Sequence, residues 1–268
     1  MPANPEEMFA DQWNSLIQAG YSTSLCADEV VSGMSGTQSL CNVPPRSNVV
    51  YRGWMVKGDQ YATLVRAIDQ CGAKAFTSPQ EYLAAHHLPN WYPLLCGLTP
   101  ETRVYPKDVD LVAELRALDW NAYFLKDYVK SLKTARGSIV RDPTDAPAVV
   151  AEMRDFRGEI EGGICVRQVE EFIPDSEQRY FVLHGVAYSA SEGMPIPEIV
   201  EHCAKRIPSK FFSVDVAHRR DGVLRVVEVG DGQVSDLVGW SSTAFADMWV
   251  RAARSSPEVA VGAGTQPL

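Results

Sequence analysis

The stretch at residues 211–232, FFSVDVAHRRDGVLRVVEVGDG, constrains the fold of this chain more than any other part of the sequence. Two runs rich in valine and phenylalanine flank Asp221-Gly222, and both of these residues tolerate a positive φ. The pattern predicts two antiparallel strands joined by a two-residue turn. With Asp221-Gly222 as the loop, counting outward along the strands places Asp215 directly opposite Glu228.

These two opposed carboxylates need a neighbour that balances their charge. Directly opposed residues share one face of a sheet, with Cβ atoms about 4.5–5.5 Å apart, and like charges there repel. A divalent cation held by the carboxylate oxygens of Asp215 and Glu228 would neutralise them. Two alternatives stay open: the carboxylates lie on a hydrated face, or the register is shifted by one residue, which moves one carboxylate to the other face.

The composition is that of a globular protein with an ample core. The chain has 268 residues, of which 46% are hydrophobic and 22% charged, enough for one large or two small domains. The formal net charge of −9 argues against a nucleic-acid-binding surface. The acidic N-terminus, MPANPEEMFADQW, lacks the apolar core of a signal peptide, and no apolar run reaches membrane-spanning length. We therefore expect a soluble cytoplasmic protein without a membrane partner.

Changes of pattern along the chain divide it into four parts. Residues 1–45 form an N-terminal arm whose structure the pattern leaves undetermined. Residues 46–118 alternate strand and helix signals, which predicts a small leading α/β domain with a parallel sheet. Residues 119–254 mix strands and helices without strict alternation, which predicts an α+β domain with an antiparallel sheet. Residues 255–268, rich in Gly, Pro, Ala and Thr, are predicted to be a disordered tail.

Particular elements can be assigned within the two predicted domains. Ser78 is expected to cap a helix that starts at Pro79, the preferred first position for proline. Residues 88–108, rich in proline and tryptophan, are predicted to be a connection. The later strands and helices are predicted at residues 123–125, 146–156, 164–172, 179–183, 186–189, 197–206 and 243–253.

Two lysines, Lys126 and Lys130, frame the sequence KDYVK at the end of the strand predicted at residues 123–125. Lysine carries a compact charge suited to phosphate, and a turn that leaves a strand can direct two lysines at one polyphosphate. Solvent-exposed lysines on a helical turn would give the same pattern. Taken alone, the sequence favours that second interpretation.

The segment QVEEFI, residues 168–173, follows a strand predicted to be buried. Its apolar side chains could enclose a flat ring, its backbone could recognise the ring edge, and Glu170 or Glu171 could hold ribose hydroxyls next to Phe172. A strand that leads into an acidic surface loop explains the segment nearly as well.

Three arginines are candidates for binding anionic groups. Arg167 and Arg179 lie on strands predicted to face inward, where a guanidinium is costly unless it is paired. Its partner would be a phosphate or carboxylate held by bidentate hydrogen bonds, and a structural ion pair with a nearby glutamate is an equal alternative. Arg52 ends the first predicted strand, where α/β sheets bind ligands, although a cation–π contact with Trp54 would also explain it.

Several familiar site signatures do not occur in the sequence. There is no Walker A loop, no GxGxxG fingerprint and no GxSxG nucleophile elbow. His86 and His87 have no further ligands at zinc spacing, which favours packing at a helix end over a metal site.

Together and in this order, the motifs resemble those of the ATP-grasp superfamily. The stretches YRGWM, SPQEYLAAHHLP, KDYVKS, VRQVEEF, EQRYFV, FFSVDVA and VVEVGDGQVS are similar to the clade of that superfamily named for an arginine and two lysines. The resemblance covers about Tyr51 to Leu237. It implies an α+β ATP-grasp fold, in which two α+β subdomains clasp ATP, preceded by a smaller α/β domain.

The resemblance also implies a function and a set of site residues. Members of the superfamily generally activate a carboxylate as an acylphosphate, which an amine attacks, giving an amide, ADP and phosphate. The implied cofactors are ATP and Mg²⁺, and the implied partners are small-molecule or peptide carboxylates and amines. The implied roles are phosphate contacts for Lys126 and Lys130, an adenine–ribose hinge for Glu170, Glu171 and Phe172, metal binding for Asp215 and Glu228, phosphoryl or acceptor contacts for Arg167 and Arg179, and substrate binding for Arg52.

One position departs from the pattern of the superfamily. Many ATP-grasp enzymes carry an asparagine two positions after the metal-binding glutamate, whereas this chain has Gly230 there. Asp231 is the nearest substitute as a third metal ligand. A kinase that phosphorylates a small molecule, and a nucleotide-binding module without catalysis, are the alternative functions.

Overall fold

The computed structural model describes residues 4–32, 40, 42–132, 134 and 136–255. Of the predicted tail, only Ser255 is among the described residues. Part of the predicted N-terminal arm also lies outside them. Within the described ranges, no helix combines the length and the apolar character needed to cross a membrane.

Helices and strands alternate in the first part of the chain and are mixed in the second. The α-helices, α1 to α9 in chain order, span Glu7–Gln18, Asp28–Val31, Gly58–Gln70, Pro79–His86, Leu88–Trp91, Leu111–Leu118, Ala146–Arg157, Glu198–Arg206 and Ser242–Ser255. The strands, β1 to β10, span Asn48–Val49, Lys74–Ala75, Thr102–Tyr105, Tyr123–Lys126, Ile139–Val140, Ile164–Gln168, Gln178–Leu183, Val186–Tyr188, Phe211–His218 and Leu224–Asp231.

The leading part has the predicted parallel α/β arrangement. Strands β1 and β2 pair in parallel, with α3 between them in the chain. Helix α4 begins at Pro79 behind a capping box, because Ser78 Oγ accepts from the Glu81 amide at 3.2 Å and Glu81 Oε2 accepts from the Ser78 amide at 2.8 Å. The cap predicted from the sequence is confirmed.

The second part contains two four-stranded antiparallel sheets. The first sheet has the order β3-β6-β4-β5 and the second the order β10-β9-β7-β8. Residues 88–108 were predicted to be a connection, but they include α5 and the strand β3, which pairs with β6 so that Thr102 lies opposite Arg167. This pairing attaches β3 to the first sheet, on the far side of the domain boundary predicted at residue 118.

Helices cover the sheets and leave one region for charged side chains. The first sheet packs the face that carries Tyr123 and Leu125 on α6 and α7. The second sheet packs on α8 through the face that carries Val214 and Val216. Helix α9 covers one end of its other face with Phe245, which is fully buried. Strand β10 is an edge strand of the second sheet. It contacts the face of the first sheet that carries Lys126 and Arg167.

The turn of the β9–β10 hairpin is one residue longer than predicted. Arg219 N donates to Val223 O at 2.9 Å, and Gly222 N donates to Arg219 O at 2.8 Å. Gly222 has φ +84°, a left-handed conformation that glycine adopts without steric cost. These contacts describe a three-residue loop closed by a glycine, so the prediction of a two-residue turn is wrong.

The predicted pairing of Asp215 with Glu228 is nevertheless confirmed. Near the loop, Val226 lies opposite Val216, which is one residue out of step with the predicted register. A β-bulge at Val227 adds one residue to β10 and restores the register, so that Glu228 lies opposite Asp215. Two departures from the regular hairpin therefore cancel.

Arg52 fastens the N-terminal arm to the segment that follows β10. Its Nε and Nη2 donate to Gln12 Oε1 at 3.1 and 2.8 Å. Its Nη1 donates to the carbonyls of Gly232 and Gln233 at 2.5 and 3.0 Å, and Nη2 also donates to the carbonyl of Ser235 at 3.0 Å. These five hydrogen bonds use all five N–H donors of a guanidinium.

This geometry corrects the interpretation of Arg52 as a substrate-binding residue. With its donors engaged inside the protein, the guanidinium has none left for a substrate carboxylate. Its aromatic contact is with Phe245, at 4.7 Å from the ring centroid, and not with the Trp54 considered from the sequence. Burial lowers the pKa of Arg52 to about 10, with Asp231 among the charges that oppose this effect.

Replacing Arg52 should therefore lower stability. We expect Arg52→Met to reduce the free energy of unfolding by about 2 kcal/mol or more, because partly buried carbonyls lose charged hydrogen-bond donors. Equilibrium unfolding in urea measures this change. Arg66→Met, on the exposed side of α3, is the matched control and should change stability by less than about 0.5 kcal/mol. Unchanged stability of Arg52→Met would return Arg52 to the candidate substrate-binding residues.

Candidate functional site

Four charged side chains from four strands meet where β10 approaches the first sheet. Lys126 ends β4, Arg179 lies on β7, Asp215 on β9 and Glu228 on β10. Asp215 lies directly opposite both Arg179 and Glu228 in the second sheet. Lys126 reaches this group from the first sheet. The site thus joins the two sheets through their charged residues.

Each of the two opposed carboxylates is paired with a cation of the chain. Arg179 Nε donates to Asp215 Oδ1 at 2.7 Å, and Nη2 donates to Oδ2 at 2.5 Å, a bidentate pair. Lys126 Nζ donates to Glu228 Oε1 at 2.9 Å. The repulsion inferred from the register is therefore balanced within the protein by two ion pairs.

The two carboxylates differ in exposure and in proton affinity. Asp215 is 3% exposed, and burial raises its pKa against the opposing effect of Arg179. Glu228 is 42% exposed, whereas its partner Lys126 is 6% exposed. Burial alone would raise the pKa of Glu228, but Lys126, Lys130 and Arg179 outweigh it and lower that pKa to about 2. Glu228 is thus ionised at neutral pH and the more accessible of the two.

A tight turn brings Lys130 back toward Lys126. Asp127 Oδ1 accepts from the amides of Val129 and Lys130 at 2.8 and 2.6 Å, and the Asp127 amide donates to Lys130 O at 3.0 Å. A bridge then pairs Ser131 with Lys126. Asp127 is fully buried, so this turn is fixed by the core. The charge of Lys130 helps to lower the pKa of Glu228, and the direction of both lysines toward one polyphosphate stays a prediction.

Arg167 lies near this group but is directed at the backbone of β10. Its Nη1 donates to Val227 O at 2.7 Å, and its Nη2 donates to Thr99 Oγ1 at 2.6 Å. Burial lowers the pKa of Arg167 to about 10, with Glu228 as the largest opposing charge. The ion pair with a neighbouring glutamate, one of the two alternatives left open by the sequence, does not form in the described structure. The hydrogen bonds of Arg167 go to Val227 and Thr99 instead.

The predicted nucleotide hinge has one engaged and one exposed glutamate. Glu170 forms a bidentate pair with Arg225, at 2.7 and 2.9 Å, and is 10% exposed. Glu171 is 73% exposed and lies 3.4 Å from Arg220. Phe172 is half-buried. Arg225 is not predictable as the partner of Glu170, because the 55-residue separation of the two in the sequence gives no signal by itself.

Asp231 lies on the opposite face of β10 from Glu228. It lies opposite Phe212, whose side chain is on the other face of the sheet from that of Asp215. Its Oδ1 accepts from the amide and the side-chain nitrogen of Gln233 at 3.0 and 3.2 Å. Burial raises the pKa of Asp231 to about 8. The prediction of Asp231 as a third metal ligand is therefore wrong, because its carboxylate is directed away from the other two.

Gly230 occupies the position at which many ATP-grasp enzymes carry an asparagine. Its lack of a side chain leaves space beside the hydroxyls of Ser213 and Ser235. A Cβ at Gly230 would lie 3.1 Å from Ser235 Oγ and 3.3 Å from Ser213 Oγ. The two hydroxyls are hydrogen-bonded to each other at 2.7 Å. Both serines were missed by the sequence analysis, since their proximity depends on the register of β9 and on the turn after β10.

His86, at the end of α4, is a further residue close to these charges. It is 4% exposed and packs on Tyr82, with ring centroids 4.7 Å apart. Burial, followed by the charges of His87 and Lys130, lowers the pKa of His86 to about 3. The imidazole is neutral at physiological pH. The interpretation as helix-end packing fits, although its Nε2 is buried without a hydrogen-bond partner.

The arrangement fits a magnesium ion that is held mainly by phosphate. In the described part of the chain, no group of three or more His, Cys, Asp or Glu is placed to hold a metal. Magnesium, however, uses one or two protein carboxylates and takes its other oxygens from waters and substrate phosphates. Asp215 and Glu228 are two such carboxylates on one face. Lys126 and Lys130 are suited to the phosphates.

The comparisons with solved structures agree on the fold. A sequence comparison with curated proteins gave no match. By structure, the chain is similar to the D-cycloserine synthetase DcsG (TM-score 0.61, 14% identity, 90% of this chain and 93% of that chain). It is also similar to the ATP-grasp ligase PsnB complexed with minimal precursor, Mg and ADP (0.54, 13%, 94% and 96%), and to the D-alanine-D-alanine ligase from Coxiella burnetii (0.52, 14%, 75% and 64%). At these identities the likeness shows a shared fold.

A family profile identifies the part of the chain that carries the site. The profile describes an ATP-grasp domain, family 3 of the clade named for an arginine and two lysines, and it matches residues 99–251, more than half of the chain. The match includes Lys126, Arg179, Asp215 and Glu228, and it begins just before β3. It confirms the resemblance and the fold inferred from the sequence. The chain belongs to family 3 of this arginine-and-two-lysines clade of the ATP-grasp superfamily.

Proposed function

We propose that this protein is an ATP-dependent carboxylate–amine ligase, which forms an amide or peptide bond through an acylphosphate and releases ADP and phosphate. The observation that carries the proposal is the meeting of Lys126 and Arg179 with two carboxylates, Asp215 and Glu228, beside the turn that carries Lys130. Lysine and arginine side chains suit a polyphosphate, and the two carboxylates on one face suit the metal that accompanies it.

Asp215 and Glu228 are the proposed metal ligands. Both lie on one sheet face, and Glu228 is accessible and deprotonated at neutral pH. Asp215 is buried and paired with Arg179, but each of its oxygens has a second lone pair, so it can hold the metal without releasing the arginine. Together the two carboxylates would hold magnesium, which would arrive with the nucleotide and supply positive charge to neutralise part of the phosphate charge. Lys126 and Lys130 would contact the phosphates when the nucleotide binds, since lysine is a strongly hydrated point charge with rotatable donors.

The proposed reaction needs positioning and charge neutralisation more than a nucleophilic side chain. An oxygen of the substrate carboxylate attacks the γ-phosphorus, and the bond from that phosphorus to the departing ADP breaks. The amine nitrogen then attacks the acyl carbon, phosphate leaves and the nitrogen loses a proton. Arg179, held on Asp215 and on the carbonyl of Asp236 at 2.8 Å, would stay fixed beside the transferred group and offset its negative charge.

For the nucleoside, the exposed Glu171 is the better candidate for the ribose hydroxyls. Glu170 is already committed to Arg225 through two hydrogen bonds, and releasing it would leave a half-buried arginine without its anionic partner. Glu171 has no comparable commitment, because its contact with Arg220 is at the surface. Phe172 would pack against the adenine.

The proteins with the same fold support a proposal for the substrate class. They include a D-cycloserine synthetase, an ATP-grasp ligase complexed with a precursor peptide and a D-alanine-D-alanine ligase. These names span small molecules and peptides, so we propose a small-molecule or peptide carboxylate together with an amine.

Turnover tests the proposed function directly. We expect ADP release when the protein, ATP and magnesium are incubated with panels of amino acids, short peptides and other small carboxylic acids, each paired with amines. Coupled detection of ADP finds active pairs, and mass spectrometry of the product should show an amide formed with one ADP and one phosphate. A stable phosphorylated product without an amide would instead support a kinase.

Nucleotide binding should depend on magnesium through Glu228. We expect Glu228→Gln to bind ATP at least about tenfold more weakly than wild type in the presence of magnesium, with similar affinity in its absence. Calorimetric titration with and without magnesium measures both affinities, and circular dichroism checks the fold. Equal magnesium-dependent affinity in the two proteins would contradict the metal assignment.

Removing Lys126 should change two affinities in opposite directions. Lys126→Met leaves Glu228 without its ion-pair partner, so we expect magnesium alone to bind more tightly while ATP binds about tenfold more weakly or worse. Titrations with magnesium chloride and with ATP, each alone, separate the two effects. Lys74→Met, at an exposed position of β2, is the control and should change neither. A fall in both affinities would show that the pair with Lys126 does not restrict access to Glu228.

A further inference from the structure

The β-bulge at Val227 decides which face of β10 carries Glu228. Before the bulge, Val226 lies opposite Val216, and continuing that register would place Val227 opposite Asp215 and Glu228 opposite Val214. Val214 belongs to the buried core face. Without the extra residue, the carboxylate of Glu228 would therefore point into the core and leave the site.

Groups from outside the hairpin hold the backbone at the bulge. Arg167 Nη1 donates to Val227 O at 2.7 Å. Thr99 Oγ1 donates to Val226 O at 2.8 Å, and the Val226 amide donates to Leu98 O at 2.9 Å. A bulge interrupts the ladder, and backbone polar groups need partners when they are buried. The described contacts supply such partners at Val226 and Val227.

Thr99 and Arg167 form one connected unit. Arg167 Nη2 donates to Thr99 Oγ1 at 2.6 Å, while the same hydroxyl donates to Val226 O. A hydroxyl can donate one hydrogen bond and accept others. The Thr99 hydroxyl therefore links the Arg167 side chain to the backbone of β10 next to the bulge. Thr99 is 2% exposed and Arg167 is 6% exposed. The pair is shielded from water, where hydrogen bonds to a charged group are strong.

The segment that carries Thr99 is anchored independently of its hydroxyl. Arg225 Nη1 donates to Gly97 O at 2.5 Å, and Arg225 Nη2 donates to Thr99 O at 2.8 Å. Arg225 is in turn fixed by Glu170. Loss of the Thr99 hydroxyl should thus leave the segment docked and remove only the contacts of that hydroxyl with the bulge and Arg167.

We propose that Thr99 and Arg167 are positioning residues, which hold the bulge at Val227 and so keep the carboxylate of Glu228 in the nucleotide and metal site. The proposal rests on the proposed function, in which Glu228 binds magnesium with ATP. It replaces the phosphoryl contact inferred for Arg167 from the sequence with a role that acts through Glu228.

The test uses Thr99→Val, which is nearly isosteric but has no hydroxyl. The measured quantity is the ratio of ATP dissociation constants without and with magnesium, from calorimetric titration of the full chain. We expect Thr99→Val to lower this ratio about tenfold or more, with magnesium-free ATP affinity within about twofold of wild type. Thr99→Ser keeps the hydroxyl and should retain the ratio.

A matched control separates positioning from a general loss of stability. Thr102→Val also removes a buried threonine hydroxyl, one that donates to Pro100 O at 3.0 Å instead of to the bulge. It should retain the wild-type ratio. Circular dichroism and thermal unfolding confirm that all variants are folded under the conditions of titration.

A double-mutant cycle tests whether Thr99 acts through Glu228. If it does, Thr99→Val should have no further effect on the magnesium ratio in a Glu228→Gln background. A wild-type ratio in Thr99→Val, or an equal loss in both backgrounds, would overturn the inference while leaving the proposed function intact. Absence of magnesium-dependent ATP binding in folded wild-type protein would overturn the proposed function and this inference with it.

Discussion

Two carboxylates that lie opposite each other on one sheet face require cations, and this requirement links the two sheets of the protein. Asp215 is balanced within its own sheet by Arg179, on the neighbouring strand. Glu228 is balanced by Lys126, which comes from the other sheet. Because the second pair crosses between the sheets, the position of β4 relative to β10 is coupled to the charge of the site. The turn at Asp127 follows Lys126 directly and fixes the backbone of Lys130, so it contributes to the same balance of charge.

The sequence predicted local structure well because local structure depends on neighbouring residues. The capping box at Ser78 and the strand before Lys126 follow from residue preferences within a few positions. The pairing of Asp215 with Glu228 was also predicted correctly, but the loop length and the strand register that lead to it were not. The loop is one residue longer than expected and the bulge at Val227 compensates. That bulge is held by Arg167 and by residues before β3, which the hairpin sequence does not contain.

Side-chain roles were less predictable, since the same residue types bind ligands and stabilise folds. Arg52 has the position expected of a substrate-binding arginine, yet its donors are used by Gln12 and by carbonyls about 180 residues away in sequence. Asp231 is close in sequence to Glu228 but lies on the other face of the strand, since an odd separation reverses the direction of the side chain. Glu170 pairs with Arg225 of β10, a contact that depends on how β10 packs beside residues 168–173. In each case the deciding contact is long-range.

The two ion pairs also limit how ligands can reach the site under the proposed function. A metal that approaches Glu228 alone competes with Lys126 for the same carboxylate and weakens the pairing of a buried ammonium. A metal that arrives with a nucleotide brings phosphate oxygens, which replace the carboxylate as the partner of the lysine. The exchange conserves the number of charge pairs, so it avoids leaving a buried charge uncompensated. The arrangement therefore favours joint binding of nucleotide and metal over binding of either one first.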